Sequence, residues 1–142
     1  MRYLVATDGS EESDDAVRYA AVQAQAFDAT LEIVHVLVPE AELVEDEMVL
    51  PAGDRATEAG ERTLEAARRL AVDSAKQGGG LDTGTQLLTG RPADAITEYA
   101  EEVGVDAIYV GHRGLSEKRE QVVGSVAKSV VDKASVPVTV IK

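Results

Sequence analysis

The chain has no cysteine among its 142 residues, so disulfides, thiolate nucleophiles and Cys-ligated metals are excluded. It has only two histidines, His35 and His112, which argues against a zinc site as well. Positive charge is scarce: 14 Lys and Arg stand against 26 Asp and Glu, for a net charge of −12. Every contact to a nucleic-acid phosphate or an anionic lipid needs a cation, so general affinity for nucleic acid or membrane surface is not expected. No apolar run reaches the length of a membrane span, and residues 1–20 lack the basic, apolar and small-residue order of a signal peptide. The expected location is the cytoplasm. The surplus of carboxylate fits a high-salt interior, where it keeps a surface hydrated.

What is present describes one domain. Hydrophobic residues make up 44% and charged residues 28%, enough for a core in a single unit spanning 1–142. Residues 3–7 (YLVAT) read as a buried strand that runs into Asp-Gly-Ser. Ser10 caps the next helix, whose first turn is crowded by Glu11, Glu12, Asp14 and Asp15, with Ala16, Ala20, Ala24 and Phe27 on one face. Residues 30–38 (TLEIVHVLV) are a second strand. The acidic stretch 39–53, with two prolines, reads as a long loop acting as a flap.

Residues 55–77 follow a helical period through Leu64, Ala67, Leu70, Ala71 and Ala75, and Gly78, Gly79 and Gly80 end it. Thr83–Thr89 is a more polar strand, suited to a sheet edge. Pro92 starts a helix with Ala95, Ile96, Tyr99, Ala100 and Val103 inward, and Gly104 stops it. Residues 107–110 form a fourth strand, 126–134 continue a last helix with Val126, Val130 and Val131 inward, and 136–141 form a fifth strand. Pro137 places that strand at an edge or itself at the strand's first residue. Alternation of strand and helix throughout implies a parallel sheet covered on both faces.

The fourth strand leads into GHRGLSEKREQVVGS, residues 111–125, with the spacing Gly111-x2-Gly114-x9-Gly124-Ser125. Gly111 and Gly114 allow positive φ and leave no Cβ in the way, so consecutive N–H groups can face an anion. Gly124 and Ser125 open the last helix, whose N-terminal amides and dipole suit phosphate. His112, Arg113, Lys118, Arg119 and Lys128 concentrate cations there, with Glu117 and Glu120 partly offsetting them. The acidic start of the first helix would repel a polyphosphate, so the anion belongs at the last helix. Asp8, at the end of the first strand, reads equally as a turn carboxylate. His35 reads as a satisfied core histidine, and Arg91 as a solvated side chain.

This spacing resembles the nucleotide-binding signature of the universal stress protein (UspA-like) family, in its ATP-binding branch. VATDGS, IVHV, GRPADAI and SVPVTVIK also sit where that family has recurring segments. The resemblance implies an open five-stranded α/β sheet of order 3-2-1-4-5 with helices on both faces, like the adenine nucleotide alpha hydrolases. It implies ATP, with or without Mg²⁺, as ligand. Adenine would lie near Val36, a position that reads as well as plain core. The ribose would lie near Asp8 and Val110, with Asp8 facing the ribose or a phosphate-bound metal, and Ala6 is a further nucleotide-binding position. The phosphates would lie on Gly111, Arg113, Gly114, Gly124, Ser125, Val126 and Ala127. It also implies a homodimer through the fifth strand at Val138 and Val140. His112 departs from the family, where Ser or Thr is frequent.

The functional expectation is a regulatory ATP-binding stress-response protein. The alternatives are a dimeric interaction module that uses no nucleotide, and a slow ATP hydrolase. No Gly-x4-Gly-Lys-Ser/Thr loop, kinase glycine set or Rossmann loop is present. TDGSEES does not match the Ser-Gly-Gly-x-Asp-Ser of ATP pyrophosphatases, and Leu87, Leu88 and Thr89 stand where a phosphoreceiver domain needs an aspartate.

Overall fold

The computed structural model describes residues 1–39, 42–44, 47–49, 53–75, 80–112 and 124–142. Its elements follow in order: β1 (Arg2–Ala6), α1 (Glu11–Ala26), β2 (Thr30–Leu37), β3 (Glu42–Val44), β4 (Glu47–Val49), α2 (Gly53–Ser74), β5 (Thr83–Thr89), α3 (Pro92–Val103), β6 (Ala107–Gly111), α4 (Ser125–Lys133) and β7 (Val138–Ile141). The main sheet is wholly parallel, in the order β5-β2-β1-β6-β7. Counted among its own five strands that is 3-2-1-4-5, the expected order, with β5 and β7 at the edges.

Alternation along each strand builds two cores. Tyr3, Val5, Leu31, Ile33 and Tyr109 point to one face, where α1 and α2 cover them with Ala16, Val17, Ala20, Leu64, Ala67 and Ala71. Leu4, Val34, Ile108 and Val110 point to the other, under Ile96 and Ala100 of α3 and Ala127 and Val130 of α4. Small residues on the inner helix faces let the helices lie close to the sheet. On the α1 side the rings of Tyr3 and Tyr109 sit 5.7 Å apart, and those of Tyr19 and Tyr109 5.9 Å apart.

Local chemistry sets the helix ends. Ser10 caps α1 through its hydroxyl, which accepts the Ser13 N–H at 3.2 Å. α3 starts on Pro92 and ends at Gly104, which takes the left-handed conformation at φ 72°. The Pro137 carbonyl accepts the Ile108 N–H, so the proline sits at the entrance to β7, where its missing N–H costs nothing. Among the described residues no helix is long and apolar enough to cross a membrane.

Four expectations need correction. The acidic stretch 39–53 is not loop throughout: β3 and β4 pair there as an antiparallel ribbon, and α2 begins at Gly53. Phe27 does not join the inner face of α1. It is the C-cap residue, 59% exposed, with its ring edge against Tyr3. In α4, Ala127 and Val130 are buried, whereas Val126 and Val131 are 39% and 49% exposed. The inward stripe runs 127-130-134 because a helix closes its period in three or four residues, which turns 126 and 131 outward. Gly111 is not among the glycines with positive φ, which are Gly9, Gly90 and Gly104. The expected glycine stop at 78 and 79 lies outside the described residues.

Candidate functional site

Strand β1 lies between β2 and β6, and the chain leaves β1 and β6 toward opposite faces. The helix after β1 covers one core and the helix after β6 covers the other. At such a reversal the two connections diverge and leave a crevice beyond the carboxyl ends of the strands. Asp8 follows β1 and Gly111 closes β6, so they stand on its two lips.

The β1 lip is a hydrogen-bonded turn. Thr7 N–H donates to the Val34 carbonyl at 2.9 Å, holding the end of β1 to β2. The Asp8 carboxylate accepts the Ser10 N–H at 2.9 Å, and Gly9, at φ 82°, makes the reversal that this turn requires. Beneath it the Thr7 and Ser13 hydroxyls lie 3.1 Å apart, and Ser13 Oγ accepts the Asp8 N–H and donates to the Ser10 carbonyl. His35 Nδ1 lies 2.7 Å from the Thr7 carbonyl, which accounts for it as a satisfied structural histidine. Asp8 is thus half-buried, and its carboxylate is held in orientation by the backbone of the turn.

The β6 lip is built differently. A Cβ on Gly111 would lie 2.9 Å from the backbone carbon and oxygen of Glu12 and 3.1 Å from the Ser13 nitrogen. The glycine is therefore required first by the close approach of α1, a requirement that its spacing to Gly114 does not reveal. His112 then pins three segments. Its N–H donates to the Ile141 carbonyl at 2.8 Å, its ring Nδ1 lies 3.3 Å from the same oxygen, and its carbonyl accepts the Gly124 N–H. The ring is buried, so it braces the lip from beneath. Gly124 serves as N-cap of α4 with φ −63° and ψ 158°.

The electrostatics of the two helix starts differ. The first turn of α1 carries Glu11, Glu12 and Asp14, whereas that of α4 carries no acid. Burial, reinforced by Asp15, Asp8 and Glu11 against the opposing pull of Arg18, pushes the Asp14 carboxyl above its ordinary value. Negative charge is already in excess at α1, so an added anion is favoured at α4. The amides of residues 125–127 lie in the helix turn whose N–H groups have no intrahelical acceptor.

The described site residues fall into two sets. Ala6, Val36, Val110 and Ala127 belong to one apolar cluster on the α3 and α4 face. Asp8 and Gly111 follow the ends of β1 and β6, and Gly124 and Ser125 stand at the start of α4. Val126 lies on the exposed side of α4, so only its backbone can serve the crevice. Arg113 and Gly114 lie outside the described residues, as do Glu117, Lys118, Arg119 and Glu120. Among the described residues no group of three or more His, Asp or Glu can hold a metal alone. The bracing role of His112 and the hydroxyl pair Thr7 and Ser13 carry no sequence motif and emerge only from the fold.

Comparison with known proteins places these features in context. The model of the universal stress protein family matches residues 1–142. A universal stress protein of Thermus aquaticus is 34% identical over 139 residues, covering 98% of this chain and 96% of that protein. One of Bacillus subtilis is 31% identical over 150 residues, covering 99% and 98%. Among solved structures, the universal stress protein UspA of Lactobacillus plantarum superposes with a TM-score of 0.80 at 26% identity, covering 100% of this chain and 97% of that one. One from Archaeoglobus fulgidus in complex with dAMP gives 0.76 at 28% identity, covering 100% and 98%. A universal stress protein in complex with cAMP gives 0.71 at 30% identity, covering 99% and 95%.

Proposed function

The chain belongs to the universal stress protein family, and from that premise we propose that it is a cytoplasmic regulatory protein that binds ATP in the crevice between β1 and β6. One observation carries the reading: the partly buried Ala6 and Val36, packed on the core that contains Val110 and Ala127, lie on the same side of the sheet as the acid-free start of α4, with Asp8 held in its turn at the end of β1. A flat apolar base and an anionic tail need those two surfaces side by side. Relatives of the same fold have been solved with cAMP and with dAMP, which supports an adenine ligand.

In this reading adenine lies near Val36, the ribose meets Asp8 near Val110, Ala6 adds a further contact to the nucleotide, and the phosphates take backbone N–H groups. Those groups come from Gly111, Arg113 and Gly114 at the first glycines and from Gly124, Ser125, Val126 and Ala127 at α4. Mg²⁺ keeps several waters and needs only one or two carboxylates with substrate phosphate, so Asp8 suffices as the protein ligand. The metal would supply charge neutralisation at the phosphates. No described side chain is placed to activate a water for attack, so the protein acts by binding, with turnover slow at most.

The test is the identity of any nucleotide released by acid from freshly purified protein, beside a Gly124→Val variant and calorimetry with Mg²⁺-ATP. ATP in the native protein and none in the variant is the expected result. No nucleotide, together with no heat on adding Mg²⁺-ATP at any salt concentration, overturns the reading in favour of an interaction module that uses no nucleotide.

A further inference from the structure

The backbone of β2 divides its hydrogen bonds by parity. Its odd-numbered residues face β5: the Leu31 N–H donates to the Asp82 carbonyl, and the Leu37 carbonyl accepts the Gly90 N–H. Its even-numbered residues face β1: the Thr30 N–H donates to the Met1 carbonyl, and the Val34 carbonyl accepts the Thr7 N–H. Val36 is the next even residue, so its N–H and C=O point together past the end of β1 and into the crevice.

One more rung would close that pair, with the Val36 N–H donating to the Thr7 carbonyl and the Gly9 N–H donating to the Val36 carbonyl. Among the described residues neither bond forms, and the pairing of β1 with β2 stops at Ala6 and Val34. Both groups of the β1 side are taken elsewhere. The Thr7 carbonyl lies 2.7 Å from His35 Nδ1, and since a carbonyl only accepts, that nitrogen carries the proton. The Gly9 N–H donates to Thr7 Oγ1 at 3.2 Å. The imidazole is held from the α2 side, where a Cβ on Gly60 would lie 3.4 Å from His35 Cδ2 and 2.7 Å from Leu87 Cδ1, so the glycine lets α2 close on the ring.

We propose that His35 is a positioning residue for the nucleotide base: by holding the Thr7 carbonyl it keeps the Val36 donor and acceptor open to the edge of a 6-aminopurine. The role rests on the binding of a nucleotide in this crevice. A 6-aminopurine sets a ring nitrogen that accepts beside an amino group that donates, the complement of one residue's N–H and C=O. A 6-oxopurine with its ribose in the same place sets donor against donor and acceptor against acceptor.

The experiment measures amide exchange of the full chain by NMR without nucleotide, and calorimetric affinities for Mg²⁺-ATP and its 6-oxopurine counterpart Mg²⁺-ITP. Both are done on the native protein, on His35→Phe, which keeps a ring without the donor, and on His35→Asn, whose side-chain N–H stands close to the place of Nδ1. In the native protein the Val36 amide is expected to exchange at least ~10-fold faster than that of Thr7, which is bonded at 2.9 Å. ATP is expected to bind ~10–100-fold tighter than ITP. In His35→Phe the Thr7 carbonyl is released to Val36, so the Val36 amide slows without nucleotide and the preference for ATP falls below ~3-fold, and His35→Asn restores both. A Val36 amide as slow as that of Thr7 in the native protein overturns the proposal. So does an equal loss of ATP and ITP affinity in His35→Phe, the mark of a merely structural role. No binding of either nucleotide by the native protein overturns the ATP reading itself, while Val36 exchange in the native protein and in His35→Phe still decides whether His35 holds the strand end open.

Discussion

At Gly111 one missing methyl group decides how two parts of the chain meet. A Cβ there would press on the Glu12 backbone at 2.9 Å, and backbone in the first turn of a helix has little room to give. Gly111→Ala is expected to lose about 1–3 kcal/mol of stability in urea unfolding; a change below about 0.5 kcal/mol would mean that α1 is free to shift. Asp14 tests the electrostatics of the same turn. Its pKa is raised chiefly by burial, so its charged form is disfavoured in the native state and the native state binds the proton more tightly. That penalty is fully present above the raised value and disappears below the ordinary carboxylate value. Asp14→Asn is therefore expected to raise Tm at neutral pH, with the gain vanishing in acid; a gain independent of pH would assign the effect to something other than charge. These residues also show what a sequence carries at this scale. Asp8 and Gly111 are legible as residues at strand ends, because position and residue type suffice. The pinning by His112 of Ile141 and Gly124 is not, because it joins residues through the register of β6 and β7.

Secondary elements were legible where one force dominates. β5 falls on Thr83–Thr89 and α3 starts at Pro92 and stops at Gly104, since a proline and a left-handed glycine are local signals that packing does not override. The ribbon of β3 and β4 was not legible, because acidic residues and two prolines dilute the alternation by which a strand is recognised. In α4 the three valines look alike in sequence, and only the sheet below decides among them. Val130 is fully buried and Val131 is 49% exposed. Val130→Ala is expected to cost about 2 kcal/mol, whereas Val131→Ala stays within about 0.5 kcal/mol. Equal losses in thermal unfolding would mean that α4 is rotated about its axis.

For the whole molecule the open question of partnership lies at β7. The Ile108 and His112 N–H groups bond to Pro137 and Ile141, so by the period of two the backbone groups of Val138 and Val140 point away from β6 along the sheet edge. Pairing of that edge with a second copy is expected to give a particle of twice 15.0 kDa in light scattering at micromolar concentration. A 15.0 kDa species would place the edge in solvent. The strand order has one more consequence, for the order in which the molecule assembles. β1 can pair with β2 after a single-helix crossover, but its other neighbour is β6, and the two bonds between Arg2 and Asp106, Asp106 N–H to the Arg2 carbonyl and Arg2 N–H to the Asp106 carboxylate, span 104 residues. Contacts of such separation form late, because the intervening chain must be closed before they reward it. During synthesis the first strand therefore waits with one edge open until β6 has left the ribosome, and in that interval Leu4 lacks the cover of Ile108 that completes its core. The crevice between β1 and β6 comes into being only when those two strands pair and α4 has followed them, so a nucleotide present then would favour chains that carry both over every shorter one.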